Sequence, residues 1–143
     1  MVETGRVLIL RTDGASRGNP GPAAAGLVIE LPNGDEIACS KHYLGILTNN
    51  QAEYRALILG LTEIACYQPA EILVYMDSEL VVRQMNGQYR VKEESLRETY
   101  HEAQMLVRQL PKVTIQHVRR GQNARADRLA NEALDEQAKR SQV

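Results

Sequence analysis

The sequence predicts an α/β protein with a mixed five-stranded sheet, three antiparallel strands followed by two parallel ones, flanked by helices. The first 45 residues contain three strand-like segments joined by short loops, an arrangement typical of an antiparallel meander. Helical and strand-like segments alternate after that point, which is the pattern of strands joined by helical crossovers. Residues 72–76 form a nearly continuous apolar run, as expected of a strand buried on both faces.

The first three strands are predicted from apolar segments that end at turn residues. Residues 7–10 are apolar, and the Asp13-Gly14 pair just beyond them is typical of a turn after the first strand. Residues 25–30 and 36–44 flank a loop centred on an Asn-Gly pair. Two such segments joined by an Asn-Gly loop predict a hairpin.

The rest of the chain predicts four helices and two further strands. A helix from Asn50 is indicated because Leu57, Leu61 and Ile64 fall on one face. Ser78 can cap a short helix that ends at Gly87. A longer helix, a fifth strand and a last helix follow, at about residues 96–110, 113–118 and 123–140. Right-handed crossovers would set strands four and five parallel to strand one.

Composition indicates one globular domain, residues 1–143 with a core of about 6–138. Hydrophobic residues make up 43% and charged residues 24%, as in ordinary globular proteins. No apolar run approaches the ~20 residues needed to span a bilayer, so we expect a cytoplasmic protein without membrane association. Cys39 and Cys66 lack metal-ligand spacing and are expected to be free, buried thiols. The net charge of −1 gives no bulk indication of nucleic-acid binding.

Four acidic residues occupy positions that favour a shared site. Asp13 follows the predicted first strand and Asp77 the fourth. If these strands are parallel neighbours, both carboxylates lie at the sheet edge where ligands bind. Glu53 and Asp127 fall on the core-facing stripes of the first and last helices, where an isolated charge is very costly. Bound cations would neutralise all four carboxylates together.

Each acid also has a purely structural interpretation. Asp13 and Asp77 stand where turn and cap residues occur in many proteins. Asn50 and Glu53 have the spacing of a capping box, in which the glutamate bonds back to the cap residue.

Carboxylates without nearby His or Cys favour hard, oxygen-seeking ions, here two Mg²⁺ per site with Mn²⁺ as a substitute. Two such ions can activate a water and stabilise the leaving oxygen in phosphodiester hydrolysis. The sequence contains no Gly-x-x-x-x-Gly-Lys, His-Glu-x-x-His or Gly-x-Ser-x-Gly pattern, which removes the nucleotide-loop, zinc-protease and serine-hydrolase alternatives.

Four segments that contain these acids resemble the motifs of the type 1 ribonuclease H family, in the family's order. They are residues 13–21 (DGASRGNPG), 48–53 (TNNQAE), 75–78 (YMDS) and 123–130 (NARADRLA). The resemblance implies the ribonuclease H-like fold. It also implies a two-metal endonuclease that cuts the RNA strand of RNA–DNA hybrids and leaves 5′-phosphate and 3′-hydroxyl ends. A monomer with no obligate protein partner is expected for this family.

The resemblance also implies roles for individual residues. Asp13, Glu53, Asp77 and Asp127 would be the catalytic metal ligands, with Glu53 close to the ribose 2′-hydroxyl. Asn19, Asn49 and Asn50 match family positions that contact the hybrid's minor groove, and Thr48 matches one that contacts a phosphate of the DNA strand. With Ser78, these are the candidate substrate-binding residues.

Two departures from the family pattern concern groups that assist the acids. Many members carry a His in a longer loop before the last Asp, whereas residues 119–123 are short and lack His. Arg119, Arg120 or Gln122 is the candidate replacement. Many members also carry a Trp- and Lys-rich protruding helix near residues 86–95. This chain has no Trp, so its grip on the hybrid is expected to be weaker or to rely on other groups, such as Arg55, Arg83, Tyr89 and Lys92.

Two other function classes are compatible with these motifs. One is a non-catalytic module that binds hybrids, and the other is a different nuclease of the same fold, such as a resolvase or a 3′-exonuclease. All four acids argue against the first, and the Asn-Asn-x-x-Glu helix start favours a hybrid-cutting enzyme over the second.

Overall fold

The computed structural model describes residues 5–141. Within these residues the chain forms five strands, four α-helices and one 3-10 helix. The strands are β1 (Val7–Ser16), β2 (Gly21–Glu30), β3 (Glu36–Leu47), β4 (Glu71–Met76) and β5 (Val113–His117). The helices are α1 (Asn49–Ala65), α2 (Glu79–Met85), α3 (Glu94–Gln109) and α4 (Ala124–Ser141), with the 3-10 helix at Arg120–Asn123.

The strands form a single mixed sheet in the order β3-β2-β1-β4-β5. The β1–β2 and β2–β3 pairs are antiparallel, and β1–β4 and β4–β5 are parallel. The predicted mixed five-stranded fold is therefore confirmed. The parallel register ends at the pair Arg11 and Tyr75, so Asp13 and Asp77, each two residues further along, follow the pairing at the same edge of β4.

Strand β1 extends further than the sequence predicted. Asp13 and Gly14 were expected to form a turn, but they lie inside the strand and pair with Gly26 and Ala25 of β2. Gly14 instead allows a close approach, because a Cβ on it would lie 2.1 Å from the Ala52 carbonyl oxygen of α1. The glycine thus brings the first turn of α1 directly against β1.

The capping of α1 also differs from the prediction. Thr48 is the cap residue: its Oγ1 accepts from the Gln51 N–H at 3.2 Å, and its own N–H donates to Gln51 Oε1 at 2.8 Å. Asn50 and Glu53 therefore do not form the capping box, and the Glu53 carboxylate has a different partner. The predicted cap of α2 is confirmed, since Ser78 Oγ accepts from the Val81 N–H at 3.3 Å.

Helices α1 and α4 pack on opposite faces of the sheet. Helix α1 lies against β1 and also contacts α3, and its apolar face joins Leu8 and Leu10 in the main core. Helix α4 packs mainly on β2 through alanine and leucine side chains. A Cβ on Gly26 would lie 1.9 Å from the Ala126 carbonyl oxygen, so α4 lies almost directly on β2. Because Gly26 pairs with Asp13, this contact brings the start of α4 close to Asp13.

The cysteine prediction was half right. Cys39 and Cys66 are free thiols, but both are exposed rather than buried. Cys39 lies on the edge strand β3 and Cys66 follows the last residue of α1, so neither faces the core.

No helix within residues 5–141 is both long enough and apolar enough to cross a membrane.

Candidate active site

Four acidic side chains from four different elements line one cavity of about 340 Å³. Asp13 comes from β1, Glu53 from the first turns of α1, and Asp77 from the position directly after β4. Asp127 belongs to the first turn of α4. The structure therefore brings together the four acids that the sequence singled out.

Three of these carboxylates are in close contact range. Asp13, Glu53 and Asp77 each have a carboxylate oxygen that lies within 4.8 Å of one from each of the other two. Glu53 is oriented by a buried hydrogen bond, since its Oε1 accepts from the Gly14 N–H at 2.8 Å. Asp127 is only partly buried, contrary to the expectation of an inward-facing acid, and its side chain is 29% exposed. Its side chain still lines the cavity, at a partly exposed rim.

Burial and mutual repulsion make this cluster costly to ionise. Asp13 and Glu53 are almost fully buried. Loss of hydration, followed by repulsion from Glu53, Asp77 and Asp127, raises the pKa of Asp13 to about 9. Loss of hydration also raises the pKa of Glu53 to about 8, and the Gly14 N–H opposes part of that rise. Burial raises the pKa of Asp77 as well, while the charge of Arg120 opposes it.

The protein supplies little positive charge to balance these acids. Among the described residues, Arg120 is the one cationic side chain that lines the cavity. Its Nη2 lies 3.8 Å from Asp127 Oδ1, and the side chain is 82% exposed, so water screens most of its effect. Asp13 Oδ2 is buried without a hydrogen-bond partner in residues 5–141.

These properties fit a site for divalent cations. The donor set consists of carboxylate oxygens, which hard ions such as Mg²⁺ and Mn²⁺ prefer over softer metals. A bound cation would also provide the partner that the buried Asp13 oxygen lacks. The raised pKa values have a related cause, since burial and then mutual repulsion disfavour the charged carboxylates when no cation is bound.

The sequence analysis missed two residues that position the cluster. Gly14 holds the Glu53 carboxylate through its backbone N–H. Asn123 is fully buried, and its Nδ2 donates to the Thr12 carbonyl oxygen at 2.9 Å. Asn123 thereby ties the segment before α4 to the residue next to Asp13. Its place four residues before Asp127 in the fourth motif was the available sequence signal.

Comparisons with known proteins agree with this geometry. The model of the reverse transcriptase-like family matches residues 11–133. Ribonuclease HI of Halobacterium salinarum is 44% identical over 124 residues, covering 87% of this chain and 62% of that protein. The crystal structure of LC11-RNase H1 in complex with an RNA/DNA hybrid matches at a TM-score of 0.88 and 43% identity, covering 92% of this chain and 99% of that chain.

The chain belongs to the type 1 ribonuclease H family. The bifunctional protein Rv2228c of Mycobacterium tuberculosis is a longer relative, 44% identical over 129 residues. That match covers 90% of this chain but 35% of Rv2228c, so the chain spans about a third of the length of this relative.

In this type 1 ribonuclease H, the predicted substrate-binding residues surround the acid cavity. Asn49 and Ser78 line it directly. Asn19 Oδ1 accepts from the Asn49 N–H at 3.1 Å, which joins the loop after β1 to the start of α1. Thr48 caps α1, and Asn50 is in its first turn. The four residues other than Ser78 therefore lie at or beside the start of α1, and Ser78 lies at the start of α2.

The three candidate auxiliary residues of this ribonuclease H separate in space. Arg120 lines the acid cavity. Arg119 is exposed and precedes the 3-10 helix, whereas Gln122 lines another cavity, beside Arg11. The Gln122 carbonyl oxygen accepts from Arg11 Nη1 at 2.8 Å. Arg120 is therefore the candidate that the structure associates with the acids.

Proposed function

We propose that this chain is a metal-dependent endoribonuclease that hydrolyses the RNA strand of RNA–DNA hybrids and leaves 5′-phosphate and 3′-hydroxyl ends. The observation that carries the proposal is the cluster of Asp13, Glu53 and Asp77, with carboxylate oxygens within 4.8 Å of one another. The similarity to LC11-RNase H1, a protein crystallised with an RNA/DNA hybrid, supports the choice of substrate.

The metal requirement follows from the donor set. Asp13, Glu53, Asp77 and Asp127 would hold two Mg²⁺ ions, with Mn²⁺ as a substitute. When bound, these ions supply an activated water and neutralise charge on the leaving oxygen. The residues of the chain contribute the arrangement: the Gly14 N–H fixes the Glu53 carboxylate, and the close packing of α4 on Gly26 holds Asp127 at the rim.

Substrate recognition is assigned to the amide-bearing border of the cavity. Asn19, Asn49 and Asn50 have side-chain amides that can donate and accept hydrogen bonds along base and sugar edges. Thr48 would contact a phosphate of the DNA strand, and Ser78 borders the acids. Discrimination of RNA from DNA rests on the ribose 2′-hydroxyl at the cut, which Glu53 is proposed to approach.

We further propose that residues 1–143 form a single domain with a core at about residues 6–138, and that it acts as a cytoplasmic monomer without an obligate protein partner. Size-exclusion chromatography with light scattering would test the monomer directly.

A non-catalytic hybrid-binding module is the weaker alternative. Such a module gains nothing from three mutually repelling carboxylates in a buried cluster, whereas a metal-dependent enzyme requires them. Another nuclease of the same fold would share the acids and differ in substrate, so the choice between the two nucleases is a matter for substrate assays.

The test is a cleavage assay with labelled RNA–DNA hybrid, duplex DNA and duplex RNA, each with Mg²⁺ and with chelator. We expect cleavage of the hybrid's RNA strand with Mg²⁺ and none with chelator. Asp77→Asn should abolish cleavage. Asp135→Asn is the matched control, because this acid is on α4 but is exposed and pairs with Arg17 at 2.7 Å. An uncut hybrid, or an active Asp77→Asn protein, would refute the proposal.

A further inference from the structure

A second cleft, of about 420 Å³, lies between the α2–α3 link and α3. We call it the link cleft. Its chemistry differs completely from that of the acid cavity, since it is lined by tyrosine rings and basic side chains and by no carboxylate. The lining residues that matter are Tyr89, Arg90, Arg97, Tyr100 and His101.

The basic groups of the link cleft are available for a ligand. Arg90 and Arg97 are exposed, and neither forms an ion pair with any described residue of the chain. Arg97 and His101 are four residues apart on α3 and therefore share a face. Glu98 and Glu102 fall on an adjoining stripe outside the cleft. The cleft is thus a local basic patch on a chain of net charge −1.

The aromatic rings of the cleft are held in place before any ligand binds. Tyr89 is 45% exposed, yet its backbone N–H donates to the Arg83 carbonyl oxygen at 3.2 Å. The Arg83 guanidinium lies over the Tyr89 ring, 5.4 Å from its centre. Tyr100 contacts the Tyr54 ring edge-on, with centres 6.4 Å apart. Ordered rings lose little conformational entropy when another ring stacks on them.

The link cleft and the acid cavity lie at opposite ends of α2. Ser78 lines the acid cavity and caps α2, while Gly87 and Tyr89, just beyond the end of the helix, line the cleft. Seven helical residues correspond to about 10 Å. A nucleic-acid strand advances about 3.4 Å per nucleotide, so the cleft is a few nucleotides away from the acids.

We propose that the link cleft binds unpaired nucleotides of a single strand that extends from the hybrid. Arg90 and Arg97 would contact its phosphates, and Tyr89 would stack on a base. Bases within a duplex have both faces covered by their neighbours, so only an unpaired base can use an exposed tyrosine ring in this way. This inference rests on the proposed function, because it takes the hybrid as the substrate from which the strand extends.

The first test measures single-strand binding in the absence of cleavage. Fluorescence anisotropy with labelled single-stranded DNA and, in a parallel arm, single-stranded RNA would be recorded with chelator at several salt concentrations. Tyr89→Ala should weaken binding roughly tenfold, because a base–aromatic stack is lost, and Tyr89→Phe should restore most of it. Arg97→Ala should weaken binding severalfold and reduce the salt dependence.

Arg108→Ala is the matched control, since Arg108 is also exposed on α3 but lies outside the cleft. Equal binding by the parent, Tyr89→Ala and Arg97→Ala would overturn the proposal. Equal losses in Arg97→Ala and Arg108→Ala would overturn it as well, because they would indicate general charge attraction rather than a site.

The second test separates this inference from the proposed function. Cleavage of a blunt hybrid is compared with cleavage of the same hybrid carrying a short unpaired extension on either strand. The parent should show a lower KM for one of the extended hybrids, and Arg97→Ala should remove that advantage without changing kcat on the blunt hybrid. If no hybrid is cut, the proposed function fails. If the blunt hybrid and both extended hybrids are cut with equal KM, only the link-cleft proposal fails.

Discussion

The acid cavity and the exposed ion pairs around α4 contain the same chemical groups in opposite electrostatic settings. In the pairs around α4, acids have basic partners: Arg125 pairs with Glu36 at 3.1 Å and Arg17 with Asp135 at 2.7 Å. The hydrogen bond from Arg125 lowers the pKa of Glu36. In the acid cavity, burial and repulsion raise the pKa of Asp13. Carboxylates in one small protein are thus shifted in both directions.

This difference separates acids that serve the fold from acids that serve the site. A paired, exposed carboxylate stabilises the protein slightly, because water already solvates both partners. A buried carboxylate without a partner destabilises the metal-free protein and gains most when a cation arrives. The buried acids therefore lower the free energy of unfolding of the metal-free protein, and cation binding would raise it.

The largest expected effect is on cleavage by Asp13→Asn. Loss of one central carboxylate should reduce kcat at least about a thousandfold, because metal-ion catalysis supplies several kcal/mol. The same substitution should raise the free energy of unfolding of the metal-free protein at pH 8 by roughly 1–3 kcal/mol, since Asp13, with a pKa of about 9, must take up a proton on folding and Asn does not. Hydrolysis rates and urea unfolding with chelator would measure both. An Asp13→Asn protein that loses both activity and stability would contradict the claim that Asp13 destabilises the metal-free protein.

The second prediction concerns the pH dependence of stability without metal. Asp13 and Glu53 have pKa values of about 9 and about 8 in the folded protein, far above their ordinary values. The folded state therefore holds protons that the unfolded state releases, and stability should fall as pH rises from about 5 to about 9. The lowered pKa of Glu36 acts in the opposite sense, with stability lost only on acidification below its ordinary pKa.

Thermal unfolding with chelator across this pH range, repeated with Mg²⁺, would check the second prediction. Mg²⁺ should raise Tm most at the alkaline end, where the cluster is ionised and binds cations best. Asp13→Asn should flatten the pH dependence. A Tm in chelator that increases steadily toward pH 9 would show that these carboxylates do not govern stability.

Arg120→Gln should have an intermediate effect. Arg120 is the cation at the cavity rim, 3.8 Å from Asp127, and its loss should reduce kcat about three- to tenfold, the scale of one screened charge at a reacting site. Tm should change little because the side chain is largely exposed. Arg120→Lys should restore part of the rate, and Arg128→Gln should leave it unchanged. An unaltered rate and pH profile in Arg120→Gln would exclude an auxiliary role.

The smallest effect is expected from Glu36→Gln, which breaks the pair with Arg125 outside the cavity. Such exposed pairs contribute at most about 1 kcal/mol, and cleavage should be unaffected. Urea unfolding at low and high salt would measure the change, which should shrink as salt increases. A large loss of activity would indicate that the outer pairs also position Asp127.

The sequence predicted the sheet and the acids well because their signals are local. The apolar run at residues 72–76 is enough to indicate a buried strand, and Asp77 directly after it was expected at the sheet edge. Ser78 was recognisable as a helix cap and is one. The four motifs identified the family because their residues and order are specific, whatever their distances in space.

Other features depended on which segment packs against which, and only the tertiary structure decided them. Gly14 has the local signature of a turn, but it pairs with β2 inside a strand, and α1 packs on it too closely for a side chain. Glu53 has the spacing of a cap residue, but Thr48 and Gln51 cap the helix and leave its carboxylate to Gly14.

The sequence by itself determined the succession of strands and helices along the chain, the family and the identity of the four acids. The tertiary structure decided how deeply each acid is buried, which of three candidate residues reaches the cavity, and that tyrosines and arginines around the α2–α3 link form a separate cleft. The physical reason is the separation along the chain of the residues on which each feature depends. Periodicity and capping depend on neighbours a few residues away, whereas burial, pKa and cavity lining depend on contacts between segments as far apart as Thr12 and Asn123.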